Sequence, residues 1–140
     1  MMPGASGIFA WGSVLAVGGG AAVGAWLRWG LGVVLNPLFP TLPLGTLAAN
    51  LGGGLLMGCA MELVSRHSMM TPEMRLLATT GFLGGLTTFS TFSAEMTTLL
   101  LRREWLWGAI GIASHVVGSI LLTIVGILLM RAVFSWGGSP

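Results

Sequence analysis

The 140-residue chain has no lysine, no aspartate and no tyrosine, and its single cysteine, Cys59, lies inside an apolar run. One thiol excludes an intrachain disulfide and a cluster of thiolate metal ligands. The six basic residues are scattered, so nothing resembles the basic stripe of a nucleic-acid-binding surface. No Lys or Arg precedes Arg28, so the first apolar run lacks the charged start of a secretory signal and is expected to remain as a span. A nucleophile–base pair, a zinc signature and a phosphate-binding loop are all missing, which argues against an enzyme.

What the chain does have is 54% hydrophobic residues against 7% charged, the composition of an integral membrane protein. Four apolar runs separate, at about residues 8–35, 44–64, 76–101 and 106–130, within one membrane domain covering residues 1–140. Each reaches the roughly 20 residues that a spanning helix needs. Asn36-Pro37 and Phe39-Pro40 mark a turn between the first two. The tryptophans fall towards the ends of the runs, as an interfacial belt requires. The expected fold is therefore all-α, with four transmembrane helices per subunit.

The third run is the unusual one. Residues 81–95 read Gly-Phe-Leu-Gly-Gly-Leu-Thr-Thr-Phe-Ser-Thr-Phe-Ser-Ala-Glu, placing glycines, hydroxyls and a carboxylate where hydrocarbon would surround them. A helix loosened in this way persists only when buried in protein or lining a polar cavity. Glycine as a close crossing point between helices is the plainer reading, and an ion-handling site the more specific one. Gly20 and Gly24, Gly54 and Gly58, Gly81 and Gly85, and Ser114 and Gly118 are each four apart, on one helix face. Such pairs suit packing within one bundle and within an oligomer alike.

With four spans, Arg66, Arg75 and Arg131 lie on one side of the membrane. Arg102 and Arg103 face them, joined by Arg28 if the first helix reaches that surface. So even a balance leaves the positive-inside rule nearly undecided and predicts insertion in both orientations, hence antiparallel dimers.

Each polar group inside a span needs a reason. Arg28 either snorkels to the interface between Trp26 and Trp29 or draws anions into a vestibule. Asn50 serves as an interhelical clasp or as an anion ligand. Phe89 and Phe92 share a face and are either packing or phenyl edges offered to an anion. Thr88 and Thr91 stand four residues before Phe92 and Glu95. Glu95 reads as the one carboxylate deep in a span: a proton carrier, a gate bonded to hydroxyls, or a neutral packed acid. His115, Ser119 and Thr123 form a polar stripe that must face a partner helix or water. A lone His is not a metal site.

Residues 81–95, with Pro43-Leu-Gly-Thr-Leu-Ala-Ala-Asn50-Leu-Gly and Gly24-Ala-Trp-Leu-Arg28-Trp, resemble the CrcB, or Fluc, family of fluoride channels, and the resemblance extends over nearly the whole chain. It implies a broken third helix and an antiparallel dual-topology homodimer in the bacterial inner membrane, embedded in lipid. It implies a structural Na+ at the dimer centre, held by main-chain carbonyls of Gly84 and Thr87. Two fluoride pores would be lined by Phe89, Phe92, Asn50, Thr88, Ser119 and Thr123, with Arg28 in a vestibule and Glu95 near the gate. His115 departs from the small polar residues expected at its place. The function so implied is passive export of cytoplasmic fluoride. A dual-topology cation/proton drug antiporter and a structural membrane subunit are the competing readings; an antiporter would be expected to place its titrating acid in the first helix, where this chain has only Arg28.

Overall fold

The computed structural model describes residues 10–66 and 70–137, all of whose regular structure is helical. Helix α1 spans Trp11–Leu35 and α2 Leu44–Arg66. A short α3, Pro72–Arg75, leads into a π-helical segment, Leu76–Leu83, and then α4, Gly84–Leu86. Helix α5 is Phe89–Leu101 and α6 Trp105–Gly137. Three helical stretches among the described residues, Trp11–Leu38, Leu44–Arg66 and Trp105–Gly137, are long and apolar enough to cross a bilayer. The third apolar run is instead divided at Thr87 and Thr88, which are both extended (φ −82°, ψ 154° and φ −149°, ψ 119°).

Local chemistry accounts for the element ends. At α3 the Thr71 hydroxyl accepts from the Met74 amide at 3.2 Å and Pro72 occupies the first turn, a paired start signal. Between α1 and α2 the Asn36 carboxamide oxygen accepts from the Gly45 amide at 2.8 Å, tying down the proline turn. The α5–α6 turn closes with the Glu104 amide donating to the Leu99 carbonyl at 2.9 Å, and Arg103 takes the left-handed conformation (φ 62°) more often left to glycine. Helix α6 begins at Trp105 and continues to Gly137, so it outlasts its apolar run. Residues 8 and 9 of the first expected run lie outside the described residues.

Packing depends on glycine. Helix α1 lies along the π-helical segment and α4, while α2 lies along α6. A methyl group on Gly24 would strike the Phe82 carbonyl and come within 2.7 Å of the Leu86 amide nitrogen, both rigid backbone. Gly58 meets the Thr123 carbonyl of α6 in the same way. The four-residue glycine pairs are thus used inside this one chain, to bring backbones together. The side-chain core is small: Leu42, Phe92, Met96 and Leu99 form one cluster, Ala49, Leu83 and Leu86 another. The buried residues of α6 are Gly108, Gly111, His115 and Gly126, and most of its large apolar side chains face outward. A rod that is apolar all round and hides glycines rather than leucines belongs in lipid. The protein is an integral membrane protein.

Candidate functional site

The interruption at Thr87–Thr88 is built by α2. Asn50 reaches across and binds both polar atoms of the Thr88 main chain: its Oδ1 accepts from the Thr88 amide at 2.7 Å, and its Nδ2 donates to the Thr88 carbonyl at 3.0 Å. In a continuous helix the Thr88 amide would donate to the Gly84 carbonyl four residues back. Asn50 withdraws that donor. The next carbonyl, Gly85, accepts instead from Arg28 Nε of α1 at 3.1 Å. Thr88 then starts α5 as its N-cap, its hydroxyl accepting from the Thr91 amide at 3.2 Å. Thr87 closes the preceding turn, donating from its amide and its hydroxyl to the Leu83 carbonyl at 3.0 and 2.9 Å.

Against this break lies a cavity of about 380 Å³. Asn50, Thr88, Phe89, Phe92, Ser119 and Thr123 all line it, so the structure brings together every residue the sequence nominated for a pore. Thr87 and His115 join them. Phe92 is buried and Phe89 is 78% exposed, and their rings meet edge to face, with centroids 5.5 Å apart. Phe92 also lies against the imidazole of His115 at 4.7 Å. The Thr123 hydroxyl is committed to the Gly54 and Ser119 carbonyls at 3.0 and 2.9 Å, whereas Ser119 makes no side-chain hydrogen bond among the described residues.

A second cavity, about 330 Å³, is lined by Arg28, Thr46, Thr88 and Thr91 among others. It borders the same break from the α1 side. The Thr46 hydroxyl donates to Glu95 Oε1 at 2.6 Å, and Glu95 Oε2 is buried with no partner among the described residues. Gly84 sits at the start of α4, away from both cavity linings. No group of three His, Cys, Asp or Glu side chains among the described residues is placed to hold a metal.

Three side chains acquire partners that spacing did not disclose. Arg28 spends its Nε on the interruption rather than extending freely to the interface. His115, buried to 4% exposure, places Nδ1 3.0 Å from Asn50 Nδ2. Since Nδ2 is a donor, Nδ1 acts as acceptor and the ring proton resides on Nε2, which is buried without a partner among the described residues. The stripe of His115, Ser119 and Thr123 could have flagged this residue; only packing shows what it touches. The third is Glu62. It lies one turn from the Arg66 end of α2 and is 6% exposed, held by Arg66 and by Arg131 of α6. Its neighbour Arg66, four residues on, was the available signal.

Residues 15–127 match the family described as CrcB-like protein, Camphor Resistance (CrcB). That stretch takes in the interruption and both cavities. The chain belongs to the CrcB-like family. Among its relatives, the fluoride-specific ion channel FluC of Nitrosospira multiformis is 60% identical over 119 residues, 85% of this chain and 93% of the relative. The FluC proteins of Aromatoleum aromaticum and Pseudomonas putida are 57% and 56% identical over 124 and 115 residues. These cover 89% and 82% of this chain and 92% and 91% of the relatives. CrcB-like relatives bearing these names are ion channels, not enzymes.

Proposed function

We propose that this chain is a fluoride-selective channel that lets cytoplasmic fluoride leave passively across the bacterial inner membrane. The observation that carries this reading is the cavity beside the Thr87–Thr88 break. Two phenylalanines of α5 line it together with Asn50 of α2 and Ser119 and Thr123 of α6, in a chain 60% identical to a protein named for fluoride specificity. Fluoride gives up hydration only where donors replace water closely, yet each contact must be weak enough for exit. Asn50 is largely spent on Thr88 and the Thr88 hydroxyl on Thr91, so the Ser119 hydroxyl and the Phe92 ring are left to meet the ion. Arg28 and the Thr46–Glu95 pair border the second cavity, and we assign them to vestibule and gate.

In this reading the interrupted segment completes a fourth crossing, and two oppositely inserted copies pair across it. Gly84 and Thr87 suit a hard cation: Asn50 and the extended backbone deny the Gly84 carbonyl its helical donor, and a two-fold axis would double the oxygens available. A sodium ion bound there would supply positive charge between two anion pathways.

The test is fluoride release from proteoliposomes. Fluoride release without a proton gradient, with chloride retained, is expected. Coupled exchange of an organic cation for protons would replace this reading with an antiporter, and absence of ion flux from a stable dimer would replace it with a structural subunit.

A further inference from the structure

The Glu62 cluster takes no part in the cavity. Glu62 Oε1 accepts from Arg66 Nε, and Oε2 accepts from Arg131 Nε of α6 at 3.1 Å. Each guanidinium thus spends one of its five N–H groups on the carboxylate. The Arg66 and Arg131 side chains are 48% and 59% exposed, and their η nitrogens make no hydrogen bond among the described residues. The Arg66 guanidinium also lies 5.5 Å from the ring centre of Phe134, which fixes its plane. Two positive groups share one negative group, so the cluster keeps a formal positive charge.

Depth identifies the surroundings. At 1.5 Å per residue, Arg66 stands about 33 Å along α2 from Leu44, and Arg131 about 39 Å along α6 from Trp105. A hydrocarbon core is about 30 Å thick, so both arginines reach the headgroup layer. Beside them α6 exposes Leu128, Leu129 and Val133, with Trp136 88% exposed beyond.

The geometry points to a binding site for the phosphate of an anionic phospholipid, made by Arg66 and Arg131 and aimed by Glu62. Planar guanidiniums recognise phosphate through paired N–H groups. Glu62 holds both by Nε, which keeps the two guanidiniums beside one carboxylate with their terminal nitrogens uncommitted, and the exposed leucines and valine of α6 would receive the acyl chains. A free phosphate offers the same oxygens but gains nothing from that apolar surface.

Native mass spectrometry of the full-length protein, offered phosphatidylglycerol and phosphatidylcholine with the same acyl chains, tests this. Phosphatidylglycerol should be retained about fivefold or more over phosphatidylcholine. Arg66→Gln with Arg131→Gln should abolish that preference, while Arg102→Gln with Arg103→Gln, at the other end, should leave it. Should the first pair not fold, Arg66→Lys with Arg131→Lys keeps the charge, loses the planar fork, and should cut the preference about two- to threefold. Equal retention of the two lipids, a preference that survives the Arg66 and Arg131 changes, or displacement by millimolar inorganic phosphate would overturn the assignment. Fluoride flux is read separately, so the site can fail without the channel reading failing.

Discussion

Two polar clusters interrupt this apolar chain, and they are built on opposite principles. The one at Thr88 lies mid-chain, where Asn50, His115 and main-chain atoms are joined by hydrogen bonds without a formal ion pair. The one at Glu62 lies at the far ends of α2 and α6 and consists of full charges joined directly. Unpaired charge is costly within hydrocarbon, whereas a charged group at the interface keeps water on one side. The central cluster therefore governs backbone shape, and the peripheral one satisfies its charges without bending anything. Function is expected to follow the first.

The sharpest way to break this contrast is Asn50→Ala. It strips two hydrogen bonds from the Thr88 main chain and should cost about 2–4 kcal/mol of stability, with fluoride flux falling about 100-fold. Near-normal flux in proteoliposomes would move the channel away from the break. Next in size is Phe92→Ile, which keeps an apolar group but removes the aromatic edge. Flux should drop about tenfold or more while the melting temperature stays close to that of the parent protein. Gly24→Ala tests the packing that carries the break rather than the break itself. A methyl group there meets backbone and should destabilise by about 1–3 kcal/mol in a thermal melt, whereas Gly18→Ala, with open space in this chain, should leave the melting temperature unchanged. Equal effects from the two would mean that the α1 face beside Gly18 is also covered. The smallest effect belongs to Glu62→Gln, which should leave fluoride flux within about twofold, since Glu62 lines neither cavity and ion pairs to half-exposed arginines add little stability. A large loss would erase the distinction between the clusters.

Much of this was legible from residue order. Arg28, Asn50, Phe92 and Ser119 stand out because a polar or aromatic group at those places needs a partner, and all but Arg28 line the larger cavity. Arg28 lines the other. The partners were less legible. Helical spacing reports neighbours three and four residues away on the same helix, but Asn50 to Thr88 spans 38 positions and Asn50 to His115 spans 65. The glycine pairs show the same limit: spacing announced close contact, and only the folded chain shows that α1 meets the π-helical segment and α2 meets α6.

Composition and hydropathy alone determined that this is a helical membrane protein, because no soluble core could absorb so many apolar residues and every backbone group in lipid must bond internally. The glycine–hydroxyl stretch likewise announced that one helix would not be ordinary. Where it parts, and what holds it apart, was decided by tertiary structure. Thr88 can cap α5 with its own hydroxyl, but threonine caps are optional; Asn50 and Arg28 arrive from two other helices and give the Thr88 and Gly85 backbone partners that the helix would otherwise supply.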